Sequence, residues 1–181
     1  MEKTSVRQIA IAAVMSAIAI FLGATRIGFI PWFSGASLTI MHVPVIIAAV
    51  LAGPLVGAVV GMIFGVFSLI QAAVAPNVPA DAWFVNPLIS VLPRLAVGPI
   101  AWLVYRPLRE NAKVAGLILA GATGSITNTV LVLGMLGLYG YVPWVVAGGI
   151  AVTNGVLEAV AAALITVAVV AGWERVEYGR R

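Results

Sequence analysis

The chain has 181 residues, ten Lys and Arg against six Asp and Glu, a formal net charge of +4, one His and no Cys. It is 62% hydrophobic and 9% charged, with a mean hydropathy of +1.14, against roughly 45–50% apolar and about 25% charged in soluble domains. These figures exclude a water-soluble surface, disulfides, thiolate or His-cluster metal sites and Cys nucleophiles, and they indicate an integral membrane protein.

The positive charge does not point to nucleic acid, because the basic residues sit at the ends of apolar runs, a pattern that orients a chain in a membrane. Lys3 and Arg7 before the apolar Ile9–Leu22 and Gly23-Ala24 have the outline of a signal peptide, but the further apolar runs make this the first span. Ser5 and Gln8 fit a capping box, so the first helix is expected from Ser5 to about Leu22. Ala13 and Ala17, four apart, fall on one face and leave it smooth.

An irregular loop, Thr25–Leu38, carries Trp32 and Phe33, and a short apolar run, Thr39–Leu51, holds His42 and Pro44. That run is below the usual ~17-residue minimum for a span, so it is tilted, flanked by thinned bilayer or shielded by protein. Ala52-Gly53-Pro54 predicts a tight turn into a third span, Leu55–Ala75, where Gly53, Gly57, Gly61 and Gly65 form a ribbon that admits a neighbouring backbone. A Pro-rich loop, Ala75–Asn86, carries Asp81, Trp83 and Phe84.

Asn86–Tyr105 is long enough to span a bilayer, yet it contains Arg94 about a third of the way in. A guanidinium at the centre of a bilayer costs about 2.5–3.5 kcal/mol on insertion scales. A fifth span is expected over Ala112–Leu138 and a sixth over Val145–Gly172, joined by Gly140–Trp144. Six helices with both termini cytoplasmic would put Lys3, Arg7, Arg106, Arg109, Lys113, Arg175, Arg180 and Arg181 inside and Arg26 outside. The expected fold is therefore an all-α bundle of six transmembrane helices in a single domain, with Trp32, Trp83 and Trp144 at the outer face.

His42, Arg94, Asn128, Asn154 and Glu158 are the polar groups within the spans, and Thr39 lies close to His42. Asn154 and Glu158, four apart, share a face. Arg94, Asn128 and Asn154 fall in the outer half of the membrane, with Glu158 nearer the middle. That depth suits an outward-facing pocket, although an Arg94–Glu158 ion pair that satisfies both groups internally fits the same positions. Gly124-Ser125 has no His at matched depth, and no Gly-Lys-Ser/Thr phosphate loop occurs. No nucleophile–base arrangement appears, which argues against an enzyme. Transport would have to be passive or energised by a partner.

The AxxxA face at Ala13 and Ala17, together with TIMHVPVIIAAVLAGPLVGAVVGMIFGVFSL, NPLISVLPRLAVGPIAWLVY, SITNTVLVLG and NGVLEAVAAALI, resembles the substrate-binding S components of energy-coupling factor (ECF) vitamin transporters, and within them the pantothenate-type branch. The resemblance implies a six-helix fold that binds a vitamin near the outer face, beneath the loops after helices one and three. It implies a prokaryotic plasma-membrane protein with a transmembrane coupling subunit that packs on Ala13 and Ala17 and with two cytoplasmic ATPases, but with no cofactor. Arg94 would take a carboxylate, Asn128, Asn154 and Glu158 hydroxyls and amides, and Trp83 the apolar part, with His42, Thr39 and Asn86 completing the site. Pantothenate has that combination of groups. If Glu158 neutralises Arg94, the pocket would suit an uncharged or zwitterionic vitamin instead; the alternatives are an S component for another vitamin (folate, riboflavin or pyridoxine-like), a non-ECF small membrane transporter or a membrane-embedded enzyme.

Overall fold

The computed structural model describes residues 5–30, 38–76 and 79–178, so Trp32 and Phe33 lie outside the described residues. Ser5 opens α1 (Val6–Ala24) with the expected capping box: its hydroxyl accepts from the Gln8 amide and its own amide donates to the Gln8 side chain. Two short antiparallel strands follow, β1 (Phe29–Ile30) and β2 (Leu38–Thr39), paired Phe29 to Thr39 and Ile30 to Leu38. Then come α2 (Val43–Ala52), α3 (Pro54–Val74), a 3-10 turn η1 (Pro79–Val85), α4 (Pro87–Ser90), α5 (Leu92–Tyr105), α6 (Lys113–Leu138) and α7 (Trp144–Tyr178).

The short second run is not a helix from Thr39. Its first residues pair as β2, and the helix begins where Pro44, which lacks an amide proton, occupies the first turn that needs none. With ten residues, α2 is about 15 Å long at 1.5 Å per residue. Every residue from Val43 to Val50 is buried, so this helix is shielded by protein and forms the core of the bundle, with Val45, Ile46 and Ala48 fully enclosed. Among the described residues, α1, α3, the Pro87–Tyr105 segment, α6 and α7 are the five segments long and apolar enough to cross a membrane. The chain is therefore a helical, multi-pass membrane protein.

The fourth run is also interrupted. Asn86 and Pro87 start α4, and the helix ends at Val91 and restarts with Pro93 in its first turn. The glycine ribbon on α3 faces this break. A side-chain carbon at Gly61 would lie 2.1 Å from the Arg94 carbonyl oxygen, and one at Gly65 2.7 Å from the Val91 Cα. Gly57 in turn meets Ala49 of α2 and Gly98 of α5. Gly53 is not part of this contact: a side-chain carbon there would meet nothing within 4 Å, and its φ of 98° serves the turn between α2 and α3.

The two ends of the bundle differ. At one end, the Arg7 guanidinium donates to Leu51 O (3.1 Å) and the Gln8 amide to Ala52 O (3.2 Å), which ties the start of α1 to the end of α2. Lys113 pairs with Glu174, joining the start of α6 to the end of α7 at this end. The other end, called the hairpin end below, holds β1, β2, η1, α4 and the turn between α6 and α7.

Candidate functional site

Arg94 owes its environment to the residue before it. Pro93 has no amide proton, so the carbonyl four residues earlier, Ile89 O, loses its helical partner. The Arg94 Nη1 donates to that carbonyl, folding the guanidinium back toward the hairpin end. The side chain is 6% exposed and lies 5.4 Å from the ring centres of both Phe64 (α3) and Phe84 (η1), a cation–π pair of contacts. Ser90 fixes η1 against α4 by donating to Phe84 O. With Nη1 occupied, the Arg94 Nε is buried and has no partner within the described chain.

His42 sits at the N-cap of α2, makes no capping bond and is 1% exposed, with both ring nitrogens unpartnered among the described residues. Its depth follows from the packing at Gly124, where an added side chain would meet Ile46 of α2 and Ala101 of α5. About one helical turn from that level toward the hairpin end lie His42 on α2 and Asn128 on α6, and about two turns along α5 lies Arg94. On α6, Asn128 Oδ1 and Ser125 Oγ are buried and also unpartnered. Thus α2, α5 and α6 each carry buried polar atoms without partners among the described residues, spread over about two helical turns from the Gly124 contact toward the hairpin end.

The sequence reading left out Ser125, Thr129, Phe64 and Phe84. Ser125, Asn128 and Thr129 follow the i, i+3, i+4 helical spacing, so they share a face. Thr127 does not, and its hydroxyl turns back to Thr123 O (2.7 Å).

Asn154 and Glu158 share the face of α7 that packs on α6. Asn154 is 3% exposed, and its Oδ1 accepts from the Thr153 hydroxyl (3.1 Å). Glu158, 7% exposed, accepts from the Thr39 amide (2.7 Å) and from the Thr129 hydroxyl (3.2 Å). Among the described residues no ion pair joins Arg94 to Glu158. The internal pairing that would have satisfied both groups is absent, and each charge has a separate set of neighbours.

Two expected contributors are engaged elsewhere. Trp83 lies flat on Tyr141, with ring centres 5.7 Å apart and planes 6° from parallel, and Tyr141 stacks on Tyr139 at 6.0 Å. It therefore joins η1 to the turn between α6 and α7. The Asn86 side chain accepts from the Leu88 amide (3.0 Å) as the N-cap of α4. Ala13 and Ala17 are exposed on α1, opposite a buried face formed by Ile11, Met15 and Ala19; ordinary packing inside the bundle does not use them.

Known proteins place this arrangement in context. The profile of the family described as "ECF transporter, substrate-specific component" matches residues 7–170. The pantothenic acid transporter PanT of Lactococcus lactis subsp. cremoris (strain MG1363) is 30% identical over 190 aligned positions, which cover 94% of this chain and 95% of that protein. Both are transport components, not enzymes. A family match over residues 7–170 of this helical membrane protein makes the chain a member of the ECF transporter substrate-specific components.

Proposed function

We propose that the chain binds pantothenate between α2, α5, α6 and α7 at the hairpin end and delivers it to a transmembrane coupling subunit driven by two cytoplasmic ATPases. The observation that carries the proposal is a group of buried polar atoms on α2, α5 and α6 without partners among the described residues: both nitrogens of His42, Arg94 Nε, Ser125 Oγ and Asn128 Oδ1. Leaving such a group unpaired costs about 1–3 kcal/mol, and a small polar solute offers each of them a hydrogen bond. The Arg94 guanidinium keeps its Nε edge for a carboxylate, and a charge-assisted pair is the strong form of that bond. No carboxylate of the described chain neutralises Arg94, which favours an anionic ligand over a neutral one. The His42, Ser125 and Asn128 groups suit hydroxyls and an amide.

In the same proposal the hairpin end faces outward in a prokaryotic plasma membrane. Arg7, Arg106, Arg109, Lys113 and Arg175 then mark the cytoplasmic end, as the positive-inside pattern requires. α2 acts as the sixth, protein-enclosed helix, and both termini are cytoplasmic. Exposed Ala13 and Ala17 offer the coupling subunit a smooth surface on which close helix contact and sliding are possible.

The test is binding of radiolabelled pantothenate to detergent-purified protein, wild type against Arg94→Ala, with folate, riboflavin and pyridoxine as competitors. Saturable pantothenate binding that Arg94→Ala weakens by about tenfold to a hundredfold is expected, the equivalent of a charge-assisted hydrogen bond. Unchanged affinity in the mutant removes the carboxylate assignment, and competition by another vitamin but not by pantothenate reassigns the substrate.

A further inference from the structure

We propose that Glu158 is a positioning residue that never touches the ligand: its carboxylate clasps β2 against α6 and α7 and so sets where His42 stands in the site. This rests on the binding reading above only for its effect on affinity.

The strand ladder explains why a clasp is needed. The Ile40 amide donates to Gly28 O (3.0 Å), so the hydrogen-bonded register of this hairpin pairs residue 40 with residue 28. In antiparallel pairing the next residue points its backbone groups the other way. The Thr39 amide therefore leaves the hairpin on its open edge, where no third strand is present among the described residues. A two-residue ribbon has little stability of its own, and an amide unpaired in an apolar setting is unfavourable.

Glu158 Oε1 accepts that proton at 2.7 Å, from a residue 119 positions away. Its other oxygen accepts from the Thr129 hydroxyl at 3.2 Å. Thr129 itself lies against Gly155, where an added side chain would meet its Cγ2 at 3.2 Å, so the seam between α6 and α7 is closed at this level. Both carboxylate oxygens are thus engaged on rigid helices on one side and on a strand end on the other.

What the clasp holds is the segment that leads into α2. The Val43 amide donates to Ile40 O (3.1 Å), a tight turn that carries the chain from β2 to His42 within a few residues. Fixing Thr39 fixes the start of α2, and with it the imidazole whose nitrogens lack partners among the described residues. A glutamine would keep the arrangement, its carbonyl accepting from Thr39 and its amide donating to Thr129 Oγ1. An alanine would release β2.

Hydrogen exchange of the full-length protein in detergent, read on peptides covering Leu38–His42, tests the clasp without any ligand. Pantothenate dissociation from the same preparations tests its consequence. Glu158→Ala is expected to speed exchange at Thr39 at least about tenfold and to raise the pantothenate dissociation rate by about tenfold, the loss of one hydrogen bond to a charged group. Glu158→Gln is expected to stay within about twofold of wild type on both measures, given the bonds it retains. Thr39→Pro removes the amide proton on an open strand edge, where proline is tolerated. Combined with Glu158→Ala it is expected to add nothing further, as the members of one contact do; Thr39→Ala reports on the hydroxyl alone.

Unchanged exchange at Thr39 in Glu158→Ala overturns the clasp. So does a Glu158→Gln variant that keeps Thr39 protected yet loses pantothenate as badly as the alanine variant, since Glu158 would then touch the ligand. If the wild type binds no pantothenate but exchange responds as described, the clasp stands and the substrate assignment falls.

Discussion

Replacing Gly61 with alanine tests whether the packing of α3 places Arg94. The added carbon would lie 2.1 Å from Arg94 O and 2.9 Å from Arg94 C, whereas a carbon rests about 3.3–3.6 Å from a carbonyl oxygen. The obstacle is backbone, so no rotamer change relieves it, and α3 and α5 must separate locally by about 1.2–1.5 Å. Overpacking of this kind typically costs about 1–3 kcal/mol. At about 2–4 °C per kcal/mol for a chain of this size, the melting temperature should fall by about 2–12 °C. Arg94 moves with its backbone, so pantothenate affinity should fall about tenfold or more, the loss expected when one charge-assisted hydrogen bond is misplaced. Gly134→Ala is the control, because a side-chain carbon added there would meet nothing within 4 Å. Thermal unfolding in detergent and equilibrium binding of labelled pantothenate on both variants decide the matter. If Gly61→Ala melts and binds like Gly134→Ala, the contact between α3 and α5 does not position the guanidinium.

Pro93→Ala restores the amide that Ile89 O lacks, so α4 and α5 should merge and the Arg94 guanidinium should be displaced. Binding should weaken while circular dichroism shows helix content unchanged or slightly higher, and unaltered affinity would mean that Arg94 does not depend on the break. Trp83→Ala removes the stack on Tyr141, worth about 0.5–1.5 kcal/mol beyond its buried area. A matching loss of thermal stability without a change of vitamin specificity is expected, and altered specificity would return Trp83 to the site. Ala13→Trp with Ala17→Trp should abolish co-purification with the coupling subunit and leave pantothenate binding intact; survival of both places the coupling face elsewhere. Lys113→Ala should move the melting temperature little, because its ion pair with Glu174 is partly exposed, at 39% and 31% of the side chains, and such pairs contribute about 0–1 kcal/mol.

Much of the helical layout was legible because apolar length and turn chemistry are local. The capping box at Ser5, the Gly53-Pro54 turn and the limits of α6 followed from neighbouring residues. The two apolar runs that departed from expectation both contain prolines within their first turns. There the apolar pattern persists through a change of backbone, so hydropathy does not register it. The packing glycines of α3 were likewise visible as a four-residue repeat. That they receive the backbone of Ser90, Val91 and Arg94 was not, because the repeat carries no information about its partner.

The site divides in the same way. Composition by itself determined a membrane protein, and the rarity of charges inside apolar runs singled out Arg94, Glu158, His42, Asn128 and Asn154. A polar group among apolar residues is unfavourable wherever the chain takes it, so its presence is legible without coordinates. Which of these groups satisfy each other is a different question. Arg94 and Glu158 both lie within apolar runs, yet the guanidinium turns to a carbonyl orphaned by Pro93 while the carboxylate turns to a strand edge 119 residues away. Hydrogen bonds act over about 3 Å, and only the tertiary structure brings donors and acceptors from distant parts of the chain within that range.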